Sequence, residues 1–265
     1  MTNIFNRFSS RPKVSVIRLE GVIGGSGRFG SALTDVSLAP LIERAFKGKP
    51  QAVALAINSP GGSPTQSALI EARIRRLADE KSVPVYAFCE DVAASGGYWL
   101  ATAADEIYVD ASSIVGSIGV IYSGFGFPEF LAKHGLERRV YTAGEDKSIL
   151  DPFRPEKESD VKRLMELQKI IHDNFITQVK SRRGDKLAGA DLFTGEIFLG
   201  HEAVNNGLVD GIGHLVPKMQ EVFGDKVRFT VTKQKKGLLR RLGTQATADI
   251  VSSVEDRALW ARFGL

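Results

Sequence analysis

The hydrophobic pattern of the first half of the chain predicts strands that alternate with helices. Ala52–Ile57 is apolar throughout, which is typical of a strand buried on both faces of a sheet. Pro64–Asp79 instead has apolar residues at helical spacing. The predicted order is strand Lys13–Leu19, helix Leu38–Phe46 (capped by Thr34 or Asp35), strand Ala52–Ile57, helix Pro64–Asp79, strand Val83–Phe88, helix Ser95–Ala104 and strand Glu106–Val109. This order predicts an α/β fold with a parallel β-sheet and crossover helices.

The second half has a weaker pattern. A long helix is predicted over Glu156–Lys180, because this segment follows Pro155, begins with acidic residues and ends with basic ones. The other predicted elements are an extended segment Ile114–Ile121, a helix Pro128–His134, a strand Arg138–Thr142, a turn-rich module around a short helix over Asp191–Gly213, and an edge strand Arg228–Val231. No repeat interrupts the chain, so we expect an N-terminal segment (1–12), one catalytic domain (13–231) and a C-terminal tail (232–265).

Charge is unevenly distributed along the 265 residues, whose formal net charge is +4. Residues 232–265 hold seven basic and three acidic side chains, and the remaining residues balance at 28 of each. The excess therefore belongs to the tail, and the body is not predicted to bind nucleic acid. The tail has a basic cluster, Lys233–Arg241, followed by an apolar stripe at Ile250, Val254, Ala258, Ala261 and Leu265. Two interpretations stay open: peripheral contact with an anionic membrane surface, or a solvated tail docked on a neighbouring subunit.

Neither a membrane anchor nor a metal site is expected. The longest strongly apolar run, Ala52–Ile57, is far shorter than the roughly 20 residues that span a bilayer. The first 12 residues have no signal-peptide core, so we expect a cytoplasmic protein, with the tail as its route to the inner face of the membrane. The single cysteine, Cys89, excludes an internal disulfide and a cysteine zinc site, and we interpret it as a core residue. No cofactor is expected.

Asn58-Ser-Pro-Gly-Gly62 directly follows the predicted buried strand Ala52–Ile57. Proline and two glycines allow a sharp turn that presents unobstructed N–H groups, and such groups can stabilise a developing oxyanion. The alternative is an ordinary strand-to-helix turn.

Ser95 lies in Ala93-Ala-Ser-Gly-Gly97, between a predicted strand and a predicted helix. Small neighbours leave room for the backbone of a substrate, which makes Ser95 a candidate nucleophile. The alternative is that Ser95 is only the N-cap of the helix, since serine is a preferred residue there.

A base must activate such a serine. Lys147, in Gly144-Glu-Asp-Lys-Ser148, is one candidate, because a desolvated lysine amine can be neutral. Glu145 and Asp146 would have to point away from that amine. A Ser-His-Asp triad is the competing hypothesis, and the available histidines are His134, His172, His201 and His214.

Together these motifs resemble one family over about Val14 to Leu215. The sequence is similar to the signal peptide peptidase A family, the S49 serine peptidases, in its short form. The segments that carry the resemblance are Ile57-Asn-Ser-Pro-Gly-Gly62, Asp91-Val-Ala-Ala-Ser-Gly-Gly-Tyr98, Ile114-Val-Gly-Ser-Ile-Gly-Val120, the Lys147 loop, Phe193-Thr-Gly195 and Gly207-Leu-Val-Asp210.

The resemblance implies a role for each site residue. Ser95 would be the nucleophile, Lys147 the general base of a Ser/Lys dyad, and Ser117 the residue that orients the lysine amine. The oxyanion hole would use the N–H groups of Gly62 and Gly96. A peptide strand would pair with the extended stretch around Ile114–Ile121. The implied substrate-binding residues are Gly61, Gly97, Val115, Gly116, Ile118 and Gly119.

The resemblance also implies a fold, a substrate class and an assembly. The fold would be the crotonase-like fold of the Clp proteases, and the substrates would be signal-peptide-like or other peptides with small or apolar side chains. Short forms of the family assemble as homo-oligomeric rings, typically octamers. Familiar members have an N-terminal anchor helix, and we expect none in this chain. Two alternative functions stay open: a crotonase-type enzyme acting on acyl-CoA, and an inert scaffold that binds peptides or membrane proteins.

Overall fold

The computed structural model describes residues 11–24, 33–144, 147–189, 191–232 and 257–265. Their contacts divide the chain into two units. The first unit is Met1–Ile118 together with Ile176–Leu265, and the second is Gly119–Phe175. The amino-acid composition does not change at either boundary between the two units.

One sheet of eight strands, counted over the described residues, forms the centre of the first unit. The strands are β1 (Lys13–Glu20), β2 (Ala52–Ser59), β3 (Val85–Ala94), β4 (Glu106–Val109), β5 (Ile114–Gly116), β6 (Ile197–Leu199), β7 (Gly211–Ile212) and β8 (Arg228–Thr232). Their order is β6-β5-β3-β2-β1-β8, while β4 pairs with both β3 and β7. Every pairing is parallel except that of β5 with β6. The prediction of an α/β fold with a mainly parallel sheet is confirmed.

Helices lie at the predicted places, with one addition. They are α1 (Asp35–Phe46), α2 (Pro64–Lys81), α3 (Gly96–Ala101), α4 (Pro128–Lys133), α5 (Glu158–Arg183), α6 (Gly200–Asn205), α7 (Leu215–Phe223) and a last short helix over 257–261. Thr34 caps α1 through a reciprocal pair of hydrogen bonds with Ser37. Ser63 caps α2, whose first residue is Pro64. Helix α7 was not predicted, because its nine residues are shorter than the window in which helical periodicity stands out.

Helices cover the sheet of the first unit. Helix α1 packs on β1, helix α3 packs on β2 and β3, and helix α2 packs on both α1 and α3. Helix α7 places the buried Met219 in an apolar cluster that draws residues from four strands. The members of that cluster include Val14, Val16, Ala54, Tyr86, Phe88, Tyr108 and Met219. Because β2 is covered in this way and flanked by β1 and β3, its continuous apolar sequence is explained.

Strand β3 changes partner part of the way along its length. Its first half pairs with β4, as far as Cys89 opposite Val109. Its second half pairs with β5, beginning with Val92 opposite Ile114. The change of partner coincides with a bulge against β2, and Ser95 follows directly after the last residue of β3.

The second unit contains α4 and the first part of α5. Phe127 and Phe153 stack with their ring centroids 5.5 Å apart. The predicted strand Arg138–Thr142 is wrong, since this segment has no strand partner among the described residues. Two of its side chains form salt bridges instead: Arg138 with Asp151, and Arg139 with Glu137.

Across the described residues, we find no helix that combines the length and the hydrophobicity needed to cross a membrane. The predicted basic cluster Lys233–Arg241 lies outside the described residues, as do Ile250 and Val254 of the apolar stripe. Strand β8 ends at Thr232, at the start of the predicted tail.

Candidate active site

Ser95 is held in an unusual backbone conformation between β3 and α3. Its φ is +53° and its ψ is −122°, a region that a residue with a Cβ rarely adopts. Such a conformation costs about 1–3 kcal/mol and persists only where the surroundings enforce it. Here the Ser95 N–H donates to the Gly116 carbonyl at 2.8 Å, and its own carbonyl accepts the Trp99 N–H at 3.0 Å. The main chain therefore fixes Ser95 on both sides.

The Ser95 side chain is not used as a helix cap. It makes no capping hydrogen bond to α3, and the residue is half-buried. The interpretation of Ser95 as a side-chain N-cap is therefore wrong, because Ser95 occupies the N-cap position without the capping hydrogen bond.

Gly61 and Gly62 bring the turn after β2 against Ser95. A Cβ on Gly61 would lie 2.8 Å from the Ser95 Cβ, and a Cβ on Gly62 would lie 2.1 Å from the Ile23 carbonyl oxygen. Both glycines also have positive φ, +105° and +141°. Neither position accepts a side chain without moving backbone, which explains the two consecutive glycines.

The N–H of Gly62 points away from its neighbouring strand-like segment. The Gly61 carbonyl and the Ser63 N–H both pair with Ile23, so the polar groups of the intervening Gly62 face the opposite side. Its nitrogen would lie 3.4 Å from a Cβ built on Gly96. Over the described ranges, no acceptor is found for the N–H of Gly62 or of Gly96. Two unused donors therefore lie close to the Ser95 turn.

Gly96 and Gly97 let α3 approach β2 and α2 closely. A Cβ on Gly96 would lie 2.5 Å from the Ser67 hydroxyl oxygen. A Cβ on Gly97 would lie 2.5 Å from the Ser59 carbonyl oxygen. The packing of α3 therefore depends on the absence of side chains at both positions.

Ser117 and its neighbours follow β5. Ser117 is buried, has φ +51°, and donates its N–H to the Glu196 carbonyl at 2.7 Å. Val115 pairs with Ala93 of β3 on one side and with Phe198 of β6 on the other. A peptide could therefore pair with Val115 or Gly116 only by displacing β3 or β6.

Lys147 belongs to the second unit, whereas Ser95 belongs to the first. Its side chain is exposed, and its N–H lies in a turn, 3.4 Å from the Gly144 carbonyl. The expectation that Glu145 and Asp146 point away from the amine falls outside the described residues.

The four histidines that a triad could use are distributed over both units. His214 pairs its Nε2 with Asp110 at 2.8 Å, and His134 packs on Phe130 with centroids 4.5 Å apart. His134 and His172 belong to the second unit, and His201 is exposed in α6.

Cys89 is buried, and this burial raises the pKa of its thiol to about 12. Its interpretation as a core residue is confirmed.

Two side chains, Asn58 and Asp210, make hydrogen bonds that the sequence did not predict. The Asn58 side chain bonds to Asp91 and to the Val92 N–H. Asp210 accepts hydrogen bonds from Arg183, Lys186 and the Ile107 N–H. Burial raises the pKa of this carboxyl, but these donors outweigh burial and leave it below its usual range. Asn58 and Asp210 both lie in the motifs quoted above, so the motifs marked the positions without revealing the partners.

Comparison with known proteins identifies the family. Residues 78–222, more than half of the chain, match the sequence model of peptidase family S49. The chain belongs to peptidase family S49. The matched stretch includes Ser95, Gly96, Ser117 and Lys147, whereas Gly62 precedes it.

The S49 chain is similar to parts of longer proteins. A Brucella melitensis protein named Na(+)/H(+) antiporter NhaA is 47% identical over 272 residues, which cover 96% of this chain and 37% of that protein. A putative signal peptide peptidase SppA of Enterococcus faecium is 36% identical over 176 residues, covering 65% of this chain and 49% of that protein. The chain therefore spans less than half the length of these relatives.

The fold also matches that of a solved protease. An alanine variant of the 1510-N membrane-bound stomatin-specific protease, in complex with a substrate peptide, superposes with a TM-score of 0.52. It is 13% identical in sequence, and the match covers 93% of this chain and 99% of that one. At 13% identity, this structural similarity establishes only the fold of the S49 chain.

Proposed function

We propose that this S49 chain is a serine endopeptidase that cleaves peptide bonds with a Ser/Lys dyad, Ser95 and Lys147. One observation carries the assignment of the nucleophile. Ser95 is held at positive φ with its hydroxyl unused by the helix that follows, beside the Gly62 and Gly96 N–H groups. A strained conformation of this kind is retained where a side chain must be presented for chemistry.

The reaction is an acyl transfer. Neutral Lys147 accepts the proton of the Ser95 hydroxyl as Oγ attacks the carbonyl carbon of the scissile bond. The Gly62 and Gly96 N–H groups donate to the oxyanion of the tetrahedral intermediate. The protonated lysine gives its proton to the leaving amine, and a water molecule then releases the acyl group from Ser95.

Ser117 orients the lysine amine in this mechanism. Ser117 is buried at positive φ directly after β5, and its main chain is held by the Glu196 carbonyl. The assignment of both Lys147 and Ser117 rests on the motifs that they share with the family.

Gly61, Gly97, Ile118 and Gly119 would contact the main chain of the substrate. Val115 and Gly116 are paired with β3 on one side and β6 on the other, so their proposed part is to support the substrate region from within the sheet. The proposed substrates are signal-peptide-like or other peptides with small or apolar side chains. The name of the Enterococcus relative is consistent with that class.

A mass-spectrometric cleavage assay with a peptide library tests the proposal. Wild type should cleave, whereas Ser95→Ala and Lys147→Ala should lose activity and keep the fold. Ser181→Ala and Lys162→Ala are matched controls, since both residues lie on α5 and should leave cleavage unchanged.

The other functional classes predict different results. Cleavage that survives Ser95→Ala would overturn the nucleophile. Cleavage lost in His134→Ala but kept in Lys147→Ala would favour a triad. Thioester turnover without peptide cleavage would favour a crotonase-type enzyme, and peptide binding with neither activity would favour a scaffold.

We further propose that copies of the chain assemble into a homo-oligomeric ring, an octamer by the family resemblance. The second unit exposes many large apolar side chains, as expected of a surface that another copy covers. They include Ile121, Tyr122, Phe125, Phe130, Leu136, Tyr141, Met165 and Ile170. Sedimentation velocity of wild type against Phe125→Ser should show a smaller species for the variant. Equal sedimentation would contradict this surface.

Peripheral membrane contact through the tail is a separate proposal. The basic cluster Lys233–Arg241 would bind anionic headgroups, and Trp260 and Phe263 would enter the interface. Full-length protein should sediment with anionic liposomes, whereas a chain truncated after residue 231 should not. Equal binding of the two chains would favour the solvated tail.

A further inference from the structure

The bulge in β3 lies opposite a single residue of β2. Ile57 of β2 pairs with Cys89 of β3, and the next register pair is Ser59 with Ala93. One residue of β2, Asn58, therefore faces three residues of β3: Glu90, Asp91 and Val92. Bulges of this kind re-aim the strand that contains them. Here the strand moves from pairing with β4 to pairing with β5.

The Asn58 side chain holds this bulge with both ends of its amide. Its Nδ2 donates to the Asp91 Oδ2 at 2.7 Å, and its Oδ1 accepts the Val92 N–H at 3.2 Å. The partners dictate this orientation, because a main-chain N–H can only donate and a carboxylate can only accept. The main chain of Asn58 is fixed as well, since its carbonyl accepts the Gly21 N–H at 2.9 Å.

The bulge is directly connected to the nucleophile. Val92 begins the pairing with β5, and Ala93 and Ala94 continue it opposite Val115 and Gly116. The next residue, Ser95, donates its N–H to the Gly116 carbonyl. A slip at Val92 would therefore be transmitted along two paired residues to Ser95. Asn58 also lies near the end of β2, four residues before Gly62, so one side chain joins the segment of the nucleophile to the segment of an oxyanion donor.

We propose that Asn58 is a positioning residue, which holds Ser95 in register with the Gly62 N–H through its bonds to Asp91 and Val92. The inference rests on the proposed function, in which these groups act on the same carbonyl. Positioning affects the chemical step more than binding, and a displacement of about 1 Å can lower a rate by about 100-fold.

Exchanging the two polar side chains tests this role. Asn58→Asp places two carboxylates against each other, and kcat should fall ~10–100-fold while KM changes less than about 2-fold. Asp91→Asn should be close to wild type, since an amide oxygen still accepts the Asn58 donor. The double variant Asn58→Asp, Asp91→Asn should recover kcat, because the pair is restored with donor and acceptor exchanged. Asn58→Ala removes both bonds without adding charge and should lower kcat in the same way.

Hydrogen exchange provides a second readout that needs no catalysis. The Val92 amide should exchange faster in Asn58→Asp and Asn58→Ala, and recover protection in the double variant. Wild-type kcat in Asn58→Ala, or a double variant as slow as Asn58→Asp, would overturn the inference. If wild type cleaves no peptide, the proposed function fails instead, and unchanged Val92 exchange in all variants would then overturn the positioning role independently.

Discussion

The Tyr98 hydroxyl donates a hydrogen bond of 2.6 Å to the main-chain carbonyl of Leu208. Tyr98 is completely buried three residues after Ser95, and burial raises the pKa of its hydroxyl, which keeps the donor proton in place. The bond ties α3 to the segment Gly207–Asp210, which Arg183 also holds through the Gly207 carbonyl at 3.0 Å. Helix α3 is thereby anchored to a part of the chain 110 residues away.

Tyr98→Phe should destabilise the fold by about 1–3 kcal/mol, because it leaves the Leu208 carbonyl buried without its donor. Equilibrium urea unfolding measures this loss. Tyr122→Phe is a matched control, since Tyr122 is exposed and should leave the free energy of unfolding unchanged. Equal stability of Tyr98→Phe and wild type would show that the bond contributes nothing.

The two glycines after Ser95 should respond differently to alanine. In Gly97→Ala the new Cβ meets the Ser59 carbonyl oxygen, which is backbone and cannot turn aside, so a loss of about 1–3 kcal/mol or more is expected. In Gly96→Ala it meets the Ser67 hydroxyl, and Ser67→Ala in the same chain should restore much of the stability. The Ser63 carbonyl keeps the Ser67 N–H as a donor in that double variant. Thermal unfolding of the two single variants and of each combined with Ser67→Ala decides, and rescue of Gly97→Ala by Ser67→Ala would contradict the assignment.

Glu71→Gln should stabilise the protein at neutral pH. Burial raises the pKa of the Glu71 carboxyl, although the Gln178 amide, Arg182 and Arg75 act in the opposite direction. A raised pKa in the folded state means that the stability from the protonated form is present at low pH and is lost as pH rises through that pKa. The Tm of Glu71→Gln should therefore exceed that of wild type at pH 7.5, and the gap should close below about pH 4. A constant gap at all pH values would exclude ionisation as its cause.

Cys89 should resist thiol reagents in the native protein. Its buried thiol has a pKa of about 12, so very little thiolate is present at pH 8. Labelling with a maleimide should be at least ~100-fold slower than in denaturant. Rapid labelling of the folded chain would show that the site opens.

The first half of the fold and the position of the Ser95 turn could be predicted because their signals are local. The apolar run Ala52–Ile57 predicts a buried strand without reference to its neighbours, and the motif around Ser95 carries its own glycines. The predictions that failed needed a partner. Arg138–Thr142 has strand-like residues, but a strand forms only where another strand pairs with it. The short helix α7 is defined by the sheet face that buries Met219.

The sequence by itself determined the α/β order, the S49 motifs and the positions of Ser95, Gly62 and Lys147. Only the tertiary structure decided that Ser95 is not a cap, that β5 is paired on both edges, and that Asn58 secures a bulge. The physical reason is the range of the interactions. Helix periodicity and turn chemistry act over a few residues, whereas strand register, close packing of glycine and the partners of a side-chain amide depend on residues that meet only after the chain has folded.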